Sequence, residues 1–111
     1  MEPCRSDIDK VEWTELSEAP GLPTKALLEL PEHGVTVHVN RVPDEGVPEH
    51  DHPMAHMMYV LRGRGRLVVQ DAGEFALEEG AFVFVPPGRG HSIENVDGTL
   101  EILNTAVPLP S

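Results

Sequence analysis

The stretch GAFVFVPPGRGHSIEN, residues 80–95, decides the fold. Ala81–Val85 is a short apolar run, Pro86–Gly90 holds two prolines and two glycines, and His91 opens a mixed run to Asn95. Proline has no N–H to give to a ladder, so the first run must stop at Val85 and the chain must turn before His91. The unit is strand, tight loop, strand, with a histidine at the start of the second strand. Working outward, Val35, Val37 and Val39 alternate with Thr36, His38 and Asn40, the period-2 pattern of a half-buried strand. His56–Leu61, Arg66–Gln70, Glu74–Leu77 and Thr99–Thr105 also read as strands. Pro43–Gly46, Arg62–Gly65, Asp71–Gly73, Glu78–Gly80 and Asp97–Gly98 read as the turns between them. A strand about every ten residues predicts an all-β sandwich or barrel. Towards the N-terminus, Ile8–Leu16 reads as an edge strand, Glu18–Thr24 as a link and Ala26–Leu30 as a further strand. The C-terminal VPLPS reads as unable to continue a ladder.

The 111 residues suit a single domain over 1–111, with the strand-rich core at 26–107. Eight basic against 19 acidic residues give a net charge of −11. That balance argues against a broad nucleic-acid footprint and against attraction to an anionic membrane. Ten glycines and eleven prolines are many for a globular domain, yet they fall below the roughly 25–30% that marks low-complexity chains. The single cysteine, Cys4, excludes an internal disulfide and a cysteine zinc finger. The N-terminal MEPCRSDIDK has no apolar run, and no segment approaches the roughly 20 apolar residues that span a bilayer. The expectation is a soluble, cytoplasmic protein.

Four of the six histidines fall in two clusters, His50-x-His52-x-x-x-His56 and His91. In extended chain, residues i and i+2 point to one face, so His50 and His52 can aim both imidazoles the same way. Pro53 breaks that parity before His56. Scattered surface histidines would give the same H-x-H pair. Several neutral imidazoles converging from two strands would instead make a site for a divalent transition metal.

Residues 46–63 resemble the first motif of the cupin superfamily, in which a glycine precedes H-x-H, an acidic residue follows, and a glycine ends the hairpin. Gly46, His50, His52 and Gly63 match it. Residues 80–95 are similar to the second motif, G-x5-P-x-G-x2-H-x3-N, at Gly80, Pro86, Gly88, His91 and Asn95. Two departures stand out. Gly46 lies two residues closer to His50 than the motif has it, and His56 replaces the acidic ligand. The resemblance implies a cupin-type double-stranded β-helix, a jelly-roll barrel. It implies a divalent transition metal ion (Fe²⁺, Mn²⁺, Zn²⁺ or Ni²⁺) near one mouth, held by His50, His52, His56 and His91. Four-histidine sets of this kind are found in manganese-binding cupins and in zinc-dependent polyketide cyclases. On this fold Gly63, Gly80 and Gly88 would sit at tight turns where a side chain would clash, and Asn95 would stabilise a turn.

Four neutral ligands would leave a divalent ion at about +2 rather than the about +1 of a set with one carboxylate, a stronger Lewis acid that favours an anionic ligand. No ligand carboxylate is then available as a base. A base must come from water or from a neighbouring side chain, for which His38 and Glu101 are candidates. Met54, Met58, Val60 and Ile93 would wall an apolar pocket. The resemblance implies a metal-dependent enzyme acting on an enolisable or dicarbonyl-like small molecule, by oxygenase chemistry or by Lewis-acid isomerisation or cyclisation. The alternatives are a non-catalytic cupin that holds a sugar or small effector, and a metal that merely staples the barrel. Cupins of this size commonly pair as homodimers, and pairing would also cover exposed sheet edges.

Overall fold

The computed structural model describes residues 1–16 and 19–109. Eight strands follow in order: β1 (Thr14–Leu16), β2 (Ala19–Leu30), β3 (Val35–Val42), β4 (Val47–His50), β5 (Ala55–Val69), β6 (Gly73–Leu77), β7 (Phe82–Val85) and β8 (His91–Val107). Helical structure among the described residues is limited to short 3₁₀ turns at Ile8–Lys10 and Pro31–His33.

The two longest strands organise the barrel. The first part of β5, Ala55–Val60, pairs with β7 on one side and with Ile102–Val107 of β8 on the other. Its last part, Arg66–Val69, pairs with β6 and with His91–Glu94 of β8. β5 and β8 therefore each run from one sheet into the other. The first sheet continues from β8 through β3 and β2 to β1, and the second adds β4 on β8. All these pairings are antiparallel. The fold is the all-β jelly roll expected from the strand pattern.

Two expected turns are not turns. Arg62–Gly65 lies inside β5, and Asp97–Gly98 inside β8. The strand register shifts three times between Val60 and Arg66, marking bulges where the chain changes sheets. Gly63 shows why the bend forms there. Its φ is +82°, and a Cβ on it would lie 2.4 Å from the Thr99 carbonyl oxygen. The two long strands cross at this point with no room for a side chain. Crowding does not explain Gly80 and Gly88, contrary to the expectation. A Cβ on either would meet nothing within 4 Å, so the left-handed backbone alone favours glycine there. Asn95 also takes a left-handed conformation, φ 55°, at the bend of β8.

The N-terminal expectations are corrected in part. Only Thr14–Leu16 of the segment Ile8–Leu16 is strand. The expected link at Glu18–Thr24 is strand from Ala19 onward, while Glu18 lies outside the described residues. Pro20 and Pro23 precede the ladder to β3, which begins at Thr24, and Pro23 faces only Glu15 of the three-residue β1 at the sheet edge. At the other end β8 stops at Val107, and the last two residues of VPLPS lie outside the description.

The core between the sheets is aliphatic, built around Val60, Leu67, Leu77, Val85, Leu100 and Ile102. All three phenylalanines and Tyr59 are at least 40% exposed, so the interior is filled by branched aliphatic side chains. Side chains of this size suit the inside of a narrow barrel.

Candidate metal centre

The histidines meet where the two sheets approach each other at one mouth of the barrel. β4 ends at His50, and His50 pairs with His91, the first residue of β8. Cross-strand partners share a face, so the second sheet presents these two imidazoles side by side. Their ring centroids are 4.4 Å apart. His56 comes from the first sheet, on β5 between Val85 of β7 and Ala106 of β8. His52 lies between β4 and β5, where Pro53 interrupts the chain. The His52 carbonyl accepts a 2.7 Å hydrogen bond from the Gly88 N–H. This bond ties the first histidine cluster to the Pro86–Gly90 loop that delivers His91. The His52 ring is 4.7 Å from His50, 4.5 Å from His56 and 5.7 Å from His91. One nitrogen each from His50, His52 and His91 falls within a 4.8 Å group. His56 adjoins that group through His52, with its centroid 6.1 Å from His91.

The hydrogen bonds select which nitrogen each ring can offer. His50 Nδ1 lies 2.8 Å from the Pro48 carbonyl oxygen, and His91 Nδ1 lies 3.0 Å from that of Arg89. A carbonyl oxygen can only accept, so in both rings Nδ1 carries the hydrogen and Nε2 keeps its lone pair. His56 Nδ1 is 3.1 Å from Asn104 Oδ1, and His56 Nε2 is buried with no hydrogen-bond partner. A buried acceptor without a partner costs free energy unless something binds it. A divalent transition metal fits this set. Imidazole nitrogen suits zinc, iron, nickel and copper, and a carbonyl on the far nitrogen is the usual support for a ligating histidine.

The charge state fits as well. His52 is pushed down to about 4, first by burial and then by His56, His50 and His91, with Asp51 opposing. His56 and His91 are also lowered from the usual histidine value, mainly by burial. Near neutral pH these rings are uncharged, the form that ligates a metal.

The other expected site residues fall elsewhere. Glu101, a candidate base, does not face the histidines. It alternates with the buried Leu100 and Ile102, and it accepts hydrogen bonds from Arg41 Nε and Nη2 at 3.0 and 2.8 Å on the outer face of the sheet. His38 does face inward. Register places it beside Asn104, and Asn104 beside Met58, with Nε2 of His38 3.7 Å from Glu29 Oε2. The expected apolar pocket is corrected. Met58, Val60 and Ile93 share the inward face but belong to the closed core, and Met54 is half-buried in the segment after Pro53. A barrel this small fills its interior with its own side chains. A polar cleft of about 450 Å³ reaches one of the histidines, His50, and is otherwise lined by Glu49, Asp51, Gln70 and Gly90. His33 is exposed in its 3₁₀ turn.

Sequence reasoning missed Asn104. An asparagine at an inward position of the pattern Leu100, Ile102, Asn104, Ala106 was the available signal.

A two-sheet jelly roll with a cluster of imidazoles at one mouth defines a small barrel of the metal-site type. Residues 37–105 match the cupin domain family, and the chain belongs to it. Solved structures share the fold. A predicted oxalate decarboxylase from Thermotoga maritima superposes with a TM-score of 0.79 at 21% identity, covering 96% of this chain and 100% of that one. The polyketide cyclase RemF from Streptomyces resistomycificus gives 0.77 at 24% identity, covering 96% and 80%. An RmlC-like cupin from Shewanella frigidimarina gives 0.76 at 21% identity, covering 99% and 95%. No curated protein sequence matches the chain at a significant level. Among the described residues no helix is long and apolar enough to cross a membrane.

Proposed function

We propose that the protein is a metal-dependent enzyme whose four histidines hold a divalent transition metal and which acts on a small enolisable or dicarbonyl-like molecule by redox-neutral isomerisation or cyclisation. The observation that carries this reading is the imidazole-only set with a buried, unpartnered His56 Nε2. When bound, the metal supplies Lewis-acid stabilisation of the oxygen that gains negative charge as the substrate enolises. The likeness to a polyketide cyclase supports cyclisation among the redox-neutral options, at the level of shared fold.

The chain's own residues add selection and proton handling. Glu49 and Asp51 line the cleft and disfavour a substrate that arrives as an anion. The net charge of −11 works in the same direction at long range, but fields beyond about 8–10 Å are screened in physiological salt. The fitting substrate is therefore neutral or weakly acidic on arrival and becomes anionic on binding. His38, on the inner face with Glu29 beside it, is the candidate base of this reading.

The test measures metal content, oxygen uptake and proton exchange on one preparation. Zinc, manganese or nickel at one ion per chain, with deuterium exchange at the central carbon of acetylacetone in D₂O and no oxygen consumption, is the expected result. Oxygen consumption by the iron-loaded protein with a chelating diketone would overturn the redox-neutral reading in favour of an oxygenase. A protein that binds sugars equally well with and without metal would overturn the enzyme reading in favour of a binding cupin.

A further inference from the structure

His50 and His91 have their Nδ1 hydrogens fixed by backbone carbonyls, which can only accept. His56 is held differently. Its partner is the side-chain amide of Asn104, which could turn either its oxygen or its nitrogen towards the ring. If the nitrogen faced His56, Nδ1 would have to accept, the hydrogen would sit on Nε2, and the ring could not ligate through that atom. The direction of this amide therefore decides whether the fourth nitrogen is available.

A chain of hydrogen bonds decides it from a distance. Asn104 Nδ2 donates to Asn40 Oδ1 at 3.4 Å, and Asn40 Nδ2 donates to Thr24 Oγ1 at 2.9 Å. The Thr24 hydroxyl in turn donates to the Leu22 carbonyl at 3.0 Å. Only the last link is fixed by chemistry alone, because the Leu22 oxygen cannot donate. With its single hydrogen committed to Leu22, Thr24 Oγ1 can only accept from Asn40. Asn40 must then present its oxygen to Asn104, and Asn104 its oxygen to His56. Thr24 is fully buried and Asn40 is 9% exposed, so water has little access to break the sequence of donors.

We infer that the Thr24–Asn40–Asn104 relay is a positioning device: anchored on the Leu22 carbonyl of β2, it holds His56 with its hydrogen on Nδ1 and its Nε2 lone pair free for the metal. The inference rests on the metal site proposed above. It assigns functions to three residues on β2, β3 and β8, none of which belongs to the imidazole cluster.

The test uses the full chain and two readouts. Two-bond ¹H–¹⁵N correlation of the metal-free protein at pH 7.5 reports which nitrogen of His56 bears hydrogen. Competition with a chromogenic chelator reports Zn²⁺ affinity. Wild type should show hydrogen on Nδ1 alone. Asn104→Leu should move hydrogen onto Nε2 and weaken Zn²⁺ binding about 10–100-fold, the range for losing a group that orients a ligand. Asn104→Asp, which can only accept while ionised, should restore both readouts. Thr24→Val removes the anchor while nearly keeping volume, so His56 should show a mixture of hydrogen positions. That variant also reads the relay should Asn104→Leu fail to fold. Hydrogen that stays on Nδ1 in both Asn104→Leu and Thr24→Val, with affinity unchanged, would overturn the relay. Wild-type protein that binds no Zn²⁺ while Nδ1 carries the hydrogen would overturn the metal site instead.

Discussion

Two polar clusters occupy opposite faces of the same sheet, and neighbouring residues divide between them. Thr24 and Asn40 point inward to the relay that ends at His56, while Lys25 and Arg41, the next residue in each case, point outward. The outer cluster is charged. Lys25 donates to the Ile8 carbonyl at 2.7 Å and lies over Trp13, and Arg41 lies over the same ring while pairing with Glu101. The inner cluster is neutral and directional. The contrast shows how a sheet separates two tasks. Outside, charged side chains tie the N-terminal segment down beneath Trp13: Lys25 is 8% exposed, the Glu101 side chain 13%, and only Arg41 stays open to solvent. Inside, uncharged donors and acceptors in a fixed order select a single lone pair.

The sharpest separation comes from removing the inner end. Replacing His52 and His91 together by alanine should take bound Zn²⁺ from one ion per chain to none by mass spectrometry of metal content. The outer cluster, and the folded state with it, should persist. The next largest effect should come from Gly63→Ala, which strikes the crossing that supports both faces. Left-handed strain and a clash with the Thr99 backbone should together cost about 2–5 kcal/mol in urea unfolding. Gly80→Ala, where the space is open, should cost about 1 kcal/mol from strain alone.

Acid should act on the histidines at the inner end. His52 titrates near 4 in the folded chain, and the reference value is 6.5. Between these values the unfolded chain binds more protons, so stability rises with pH across that window and is lost as pH falls through it. The lowered His56 and His91 act in the same direction. The urea midpoint of the metal-free protein should fall between pH 6.5 and 4, with a shallower slope in His52→Ala. The smallest effect should be that of Glu101→Gln on the outer face. It should cost about 1 kcal/mol, because the amide oxygen can still accept from Arg41 while the charge is lost, and leave Zn²⁺ affinity unchanged. A large loss of affinity there would show that the two faces are coupled.

The strands were legible because alternation such as Val35–Asn40 records directly which face is buried. The bends at Arg62–Gly65 and Asp97–Gly98 were misread because a glycine with positive φ marks a turn and a bulge alike. Only the pairing partners tell them apart, and those lie on other strands. The imidazole cluster was legible from the spacing of His50 and His52 and from the loop before His91. Glu101 was misplaced because its strand was read without its parity: the alternation Leu100, Ile102, Asn104, Ala106 puts it on the opposite face. The relay was illegible for a different reason. Thr24, Asn40 and Asn104 meet only through the registers of β2 on β3 and of β3 on β8, and no spacing along the chain encodes those registers.

That β5 and β8 belong to both sheets has a consequence for cooperativity. Neither sheet can open without fraying a strand of the other, so the barrel should lack a separately unfolding half. His56 sits near the start of β5 in the first sheet, whereas His50 and His91 sit together in the second. His56 and the His50–His52–His91 group therefore come together only in the globally folded chain. Any ion that prefers that set adds its binding free energy to the whole barrel by mass action. Amide hydrogen exchange across both sheets should slow together when the site fills.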